Sequence, residues 1–121
     1  DRPGIRIGAP EGGSVNLVLS RILKNATVVK SPGLAGGLEM LKAGKLDAFA
    51  ANKANLYEMS DKLPGSRVLT GRLDLDRIGI AIPKGRETGM DYLSKFIENA
   101  KSEGLITTAV KRAGLRGAVE E

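Results

Sequence analysis

The chain has no cysteine and no histidine among its 121 residues. The absence of cysteine excludes disulfides, cysteine-ligated zinc sites and thiol catalysis. The absence of histidine removes the most common general base and metal ligand of proteins. Together the two absences exclude most hydrolytic and redox mechanisms. The sequence indicates no catalytic residue, no metal site and no cofactor, and we expect a protein that is not an enzyme.

Aromatic residues and long apolar runs are also scarce. Two Phe, two Tyr and no Trp leave few side chains on which nucleic-acid bases could stack. The net charge of +5 would attract anions, but Lys and Arg are scattered among Asp and Glu rather than gathered in a block. We therefore expect no nucleic-acid partner. No apolar run approaches the roughly 18 residues that a membrane-spanning helix needs.

The length fits one small α/β domain with a real core. Residues 1–4 lead directly into a strand and contain no signal-peptide pattern. We therefore expect the chain to be a piece of a larger protein, with any export signal outside it.

The first half of the chain alternates strand patterns with helix patterns. From Ser14 onward, apolar residues recur at helical spacing: Val15, Val18, Leu19, Ile22 and Leu23. The other predicted elements are strands at residues 4–8, 26–30 and 47–51, and helices at residues 34–43 and 53–62. This alternation predicts βαβ units and an α/β fold of three layers, with a parallel sheet between helices.

The second half begins with irregular segments and ends in helices. It is predicted to contain a short strand at residues 67–69, a polar linker at 71–76, a strand at 77–83, helices at 87–102 and 105–113, and a frayed tail. Ile78, Ile80 and Ile82 alternate with small residues, which is typical of a strand. We expect this strand to run antiparallel to the others.

Residues 8–14 place a glycine-containing turn between a strand and a helix. The N-H groups at a helix N-terminus favour an anion. The turn has neither the Lys-Ser/Thr pair of a P-loop nor the glycine spacing of a dinucleotide-binding loop. The turn is compatible with a general anion-binding site. The alternative is a strand–helix turn that is capped by Ser14 and binds no ligand.

Two polar residues flank the third predicted strand. Asn52 follows it and is either a residue of a ligand cleft or the N-cap of the next helix. Asp47 begins it and is interpreted as structural. Glu11 and Asp47 form no convincing acid–base pair, since nothing in their spacing brings them together.

Four sequence blocks occur in a characteristic order: IRIGAPEGGS, GLEMLKAGKLDAFAANKANL, RIGIAIPKGRE and SEGLITTAVKRAGL. Over residues 5–115 they resemble the second, C-terminal lobe of bacterial extracellular solute-binding proteins of the amino-acid type (family 3, type II periplasmic binding fold). The resemblance implies a lobe core at residues 1–76, a hinge-return strand at 77–85, and C-terminal helices with a tail at 86–121. It implies a periplasmic location, and as partners a small-molecule solute, the missing N-terminal lobe and the membrane subunits of an ABC importer.

The resemblance also implies a binding site formed by Gly13, Ser14, Val15 and Asn52. Gly13 and Ser14 match paired hydroxyl positions that meet the ligand carboxylate, although Gly13 has no hydroxyl. Asn52 matches a position where amino-acid binders place an Asp against the α-ammonium. A neutral amide lacks that charge-assisted bond, so the expected ligand is an amino acid or a related small polar or anionic solute.

Two other functions are compatible with the pattern. The same fold could be the extracellular sensor domain of a signalling receptor. A small nucleotide-dependent enzyme would need acidic metal ligands at the strand ends, and only Asp47 approaches that. For the binding lobe, we expect Ser14 and Asn52 to lie near each other on one rim of the sheet. We also expect the chain alone to fold, to bind its solute weakly because the cleft has one wall, and to self-associate through exposed apolar surface.

Overall fold

A computed structural model describes residues 1–75 and 79–118 of the chain. The chain divides into two compact units, Asp1–Leu75 (unit 1) and Asp76–Glu121 (unit 2). This division falls next to the boundary predicted after Asp76. The roles assigned to the segments on either side stay predictions.

Unit 1 is an α/β unit with a small parallel sheet. Its elements are β1 (Arg6–Pro10), α1 (Ser14–Ile22), β2 (Thr27–Ser31), α2 (Gly33–Lys42), β3 (Ala48–Phe49) and α3 (Lys53–Asp61). The strands lie in the order β2-β1-β3, and both pairings are parallel, with Ile7 opposite Val28 on one side and Ala48 on the other. The predicted α/β class and the three parallel strands are confirmed.

The two faces of the sheet are covered by different helices. On one face Leu19 of α1 is buried with Ala9 and Ala50, and Ile7 packs against this cluster. On the other face the Phe49 ring fills the space that a Cβ on Gly37 of α2 would need, and the ring and the Leu46 side chain fill the space beside Gly8. Because successive residues of a strand point to opposite faces, α1 and α2 lie on opposite sides of the sheet.

Charged residues hold the amino edge of the sheet. The backbone N-H and the Nε of Arg6 donate to Asp47 Oδ2 over 2.8 and 3.0 Å, and Nη2 donates to Oδ1 over 2.9 Å. Arg6 Nη2 also donates to the Gly44 carbonyl, so β1 is tied to the approach of β3. The Asp1 carboxylate accepts hydrogen bonds from three consecutive backbone N-H groups: Lys24, Asn25 and Ala26. The interpretation of Asp47 as structural agrees with this position.

Unit 2 consists of helices joined by tight turns. A 3-10 turn (Glu87–Gly89) leads into α4 (Met90–Ser102), and α5 (Leu105–Arg112) follows after Gly104. Gly104 has a φ of 70°, which a residue with a Cβ rarely adopts. Among the described residues of this unit, Ala100 is the one buried hydrophobic residue. The large apolar side chains exposed here are Ile80, Met90, Tyr92, Phe96, Leu105, Ile106 and Leu115.

Two predicted strands are not found in the described part of the chain. Residues 79–83 of the predicted strand 77–83 have no strand structure, and residues 67–69 have none either. Residues 77 and 78 lie outside the described residues, as does the end of the tail. A strand is stabilised when its backbone groups pair with a neighbouring strand, and the described sheet contains β1, β2 and β3 alone. Alternation therefore indicated a potential strand, but its pairing partner is absent from the described sheet.

Candidate functional site

Three helices begin at the carboxyl edge of the sheet in unit 1. Strand β1 ends at Pro10 and α1 begins at Ser14; β2 and β3 are likewise followed within four residues by α2 and α3. Parallel neighbours place such helix starts on one edge, where ligands of open α/β sheets bind. Ser14 and Asn52 follow the adjacent strands β1 and β3, so they lie on the same edge of the sheet. Their closeness to each other and their part in ligand binding stay predictions.

The predicted residues at the start of α1 present different groups. Gly13 is the N-cap in an extended conformation (φ −80°, ψ 152°) and makes no side-chain cap bond. Ser14 is exposed at the first helical position. The Val15 side chain packs against the buried cluster, so its backbone N-H is the group that could reach a ligand. The first N-H groups of a helix have no partner within the helix.

Hydrogen bonds fix the turn between β1 and α1. Glu11 N-H donates to the Ser31 carbonyl over 3.0 Å, and Gly13 N-H donates to the Pro10 carbonyl over 3.3 Å. The side-chain amide of Asn16 donates to the same Pro10 carbonyl. Ser31, which is 1% exposed, donates from its hydroxyl to the Gly33 carbonyl. The turn is therefore held by its own chain before any ligand arrives.

Asn52 is the N-cap of α3. Its Oδ1 accepts from the Asn55 backbone N-H over 3.0 Å, and its backbone is extended (φ −65°, ψ 152°). The N-cap interpretation is confirmed. The oxygen of the amide has a structural role, and the amide nitrogen, which is a donor, takes no part in the cap.

A groove lies beside the predicted residues, between α1 and β2. Its volume is about 430 Å³. Gly12 and Gly13 lie at its border, Asn16, Leu17 and Ser20 contribute from α1, and Val28 and Lys30 contribute from β2. A smaller hollow of about 220 Å³ lies between α2 and α3.

Sequence reasoning missed Lys30 and Asn16 as members of this edge. Lys30 is the last residue of the predicted strand 26–30 and comes directly before the last residue of β2. Its position beside α1 depends on β2 lying next to β1. Asn16 was assigned to the polar face of α1. The helical spacing of apolar residues shows that this face is turned away from the core, but it does not show whether a residue there lines a groove or is surrounded by solvent. Both residues could have been found once the strand order placed β2 beside β1.

Unit 1 as a whole has an excess of positive charge, since residues 1–75 contain 11 Lys and Arg against 7 Asp and Glu. The turns that follow the three strands contain one carboxylate, Glu11, which is exposed. The described residues contain no cluster of His, Cys, Asp or Glu that could hold a metal ion. In the described parts of both units, no helix has the length and apolarity needed to cross a membrane.

Comparison of the chain with protein-family models, with curated proteins and with solved structures gives no match. The function is therefore argued from the carboxyl edge of unit 1 and from the sequence resemblance.

Proposed function

We propose that the chain is the ligand-binding lobe of a periplasmic solute-binding protein that feeds an ABC importer, with an amino acid or a related small polar solute as ligand. One observation carries the proposal: Ser14 and Asn52 begin helices after adjacent parallel strands, on the edge where such sheets bind ligands. In this proposal unit 1 is the core of a three-layer lobe of the type II periplasmic binding fold.

The binding mechanism would use donors that the fold already holds in place. The backbone N-H of Val15 and the Ser14 side chain would contact an oxyanion of the solute. Asn52 would contact a second polar group through its amide nitrogen. The missing N-terminal lobe would supply the opposite wall, and hinge closure would bury the solute between the two lobes.

Unit 2 supports the proposal by its exposed apolar surface. The apolar stripe of α4 includes Met90 and Phe96, and α5 presents Leu105 and Ile106; each of these side chains exposes 41–52% of its surface. Amphipathic helices gain most of their stability by burying such a face. Helices that complete another lobe would have this property.

The proposal predicts weak binding by the chain alone. Each hydrogen bond to a charged group contributes about 1.5–3 kcal/mol, and a single wall offers two or three such contacts. Association itself costs an estimated 4–15 kcal/mol. Because the contacts exceed this cost by a few kcal/mol at most, we expect dissociation constants in the millimolar range until a second wall is present.

Uptake measurements test the transport function. In cells of the source organism, deletion of the gene that encodes the chain should reduce uptake of one or a few labelled small solutes supplied at micromolar concentration. A wild-type copy should restore uptake, and a copy carrying Ser14→Ala and Asn52→Ala should restore less than one carrying Ser94→Ala and Ser102→Ala in α4. Unchanged uptake across amino acids and carboxylates would contradict the proposal. Unchanged uptake together with a lost transcriptional response to a solute would instead favour the sensor domain.

A further inference from the structure

The groove between α1 and β2 has one charged side chain, Lys30. The other groups that line it are the neutral polar side chains of Asn16 and Ser20 and the apolar side chains of Leu17 and Val28. Lys30 belongs to neither the Arg6–Asp47 nor the Lys42–Glu39 ion pair. The groove therefore offers a positive charge next to apolar surface, and no carboxylate lines it.

The carboxyl edge also has no well-placed partner for an ammonium group. A desolvated ammonium needs a carboxylate or several strong acceptors. Glu11, the one carboxylate in the three turns, is exposed and does not line the groove. Asn52 is neutral, and its oxygen already accepts the capping bond from Asn55. A ligand ammonium at this edge would lose water without gaining a negative partner.

We infer that the carboxyl edge of unit 1 binds a carboxylate or another oxyanion of the solute, together with an apolar part, and provides no partner for an ammonium group. This inference rests on the proposed function and specifies the ligand class that this wall of the site selects. The anionic group would lie near Lys30 and the glycine turn, and the apolar part would lie along Leu17 and Val28. The excess of 11 cationic over 7 anionic residues in unit 1 favours the approach of such an anion.

Three ligands that differ by one group at a time test the inference. Leucine has both charged groups, 4-methylpentanoate lacks the ammonium, and 3-methylbutylamine lacks the carboxylate. We would titrate each, up to 100 mM at constant ionic strength, into the ¹⁵N-labelled chain and follow the backbone amide resonances by NMR. We expect 4-methylpentanoate to shift the amides of residues 10–17, 28–31 and 50–53 with an affinity at least threefold higher than that of leucine. We expect 3-methylbutylamine to leave these amides unchanged.

Matched variants separate the groove from general charge effects. Lys30→Gln should weaken 4-methylpentanoate binding about two- to fivefold, the range expected for an exposed charge pair. Lys24→Gln removes the same charge beside the Asp1 contact at the other edge of the sheet and should leave the affinity unchanged. Asn52→Asp keeps a good N-cap, so the variant should fold, and its new carboxylate should raise the affinity for leucine relative to 4-methylpentanoate.

The outcomes distinguish the ligand class from the site. Tighter binding of leucine than of 4-methylpentanoate, with shifts at the same amides, would overturn the ligand class and leave the proposed site intact. Equal weakening by Lys30→Gln and Lys24→Gln would overturn the role of the groove. If none of the three ligands shifts these amides at 100 mM, both the inference and the proposed binding site are wrong.

Discussion

Both units of the chain contain amphipathic helices, but they bury the apolar faces of these helices to different extents. Helices α4 and α5 of unit 2 are more strongly amphipathic than α2 and α3 of unit 1. Yet unit 1 buries Leu19, Ala9 and Ala50 in one cluster, while the described part of unit 2 buries only Ala100 among its hydrophobic residues. Amphipathicity thus predicts where a helix forms, but it does not determine whether the apolar face is covered.

The sheet explains this difference. A parallel sheet offers two broad faces, so α1 and α2 each cover one of them. A hairpin of two helices offers only the seam between them, and the outer apolar side chains stay exposed. We therefore expect unit 1 to be the stable part of the chain and unit 2 to depend on a surface outside itself. The following variants test that expectation in order of decreasing effect.

The largest contrast should come from two leucines. Leu19→Ala removes a side chain that is 2% exposed and should lower the free energy of unfolding by about 2–5 kcal/mol, because it leaves a cavity in the core. Leu105→Ala in unit 2 truncates a side chain that is 51% exposed and should change it by less than about 1 kcal/mol. Urea titration followed by circular dichroism measures both. Equal losses would show that unit 2 contributes a core of its own.

Two glycines give the next contrast. A Cβ at Gly37 would overlap the Phe49 ring, whereas a Cβ at Gly89 would meet nothing within 4 Å. For Gly37→Ala, overpacking should cost about 1–3 kcal/mol against a helix-propensity gain of about 1 kcal/mol, so we expect a net loss of up to about 2 kcal/mol. Gly89→Ala should change stability by at most about 0.5 kcal/mol. Thermal melts of the two variants check this, and a more stable Gly37→Ala variant would show that the ring moves freely.

The cap of α3 should contribute less. Asn52→Ala removes the acceptor for the Asn55 N-H and should cost about 1 kcal/mol. Asn52→Asp keeps an acceptor, and its free energy of unfolding should stay within a few tenths of a kcal/mol of that of the wild type. Ser94→Ala on the exposed side of α4 is the control in unit 2 and should be neutral or slightly stabilising. Chemical denaturation of the three variants measures these values. If Asn52→Ala proves neutral, the capping bond does not stabilise unit 1.

The smallest effect should be a dependence on pH. Hydrogen bonds from Arg6 lower the pKa of Asp47 from 3.8 to about 2. Asp47 therefore binds a proton less readily in the folded state than in the unfolded state. Its contribution to the free energy of unfolding is full above about pH 4 and is lost as the pH falls towards 2. Asp47→Asn should remove this part of the pH dependence. In unit 2 the Gly85 N-H lowers the pKa of Glu87. Glu87→Gln should remove a smaller part of the pH dependence of stability than Asp47→Asn does. Unfolding free energies measured between pH 2 and 6 compare the two, and a larger effect of Glu87→Gln would reverse the expected order.

Patterns within short segments of the sequence predicted the elements that depend on residues near each other in the chain. Apolar spacing placed the five helices, and the N-cap at Asn52 was among the interpretations offered. The strand predicted at residues 77–83 was wrong over residues 79–83, because alternation of isoleucines describes faces and does not supply a neighbouring strand. For the same reason Lys30 was missed, since its proximity to α1 depends on β2 lying beside β1. Strand order is a property of the whole sheet, and no short segment encodes it.

The packing of Phe49 against Gly8 and Gly37 has a consequence for the history of the sequence. The ring occupies the volume that a Cβ at position 37 would need, and the ring and the Leu46 side chain together occupy that of a Cβ at position 8. In homologous sequences we expect these positions to co-vary, with a larger residue at position 37 accompanied by a smaller one at position 49, and a larger residue at position 8 accompanied by smaller ones at positions 46 and 49. Such a compensating set would identify distant relatives that keep this contact between β1, α2 and β3 after the rest of the sequence has diverged.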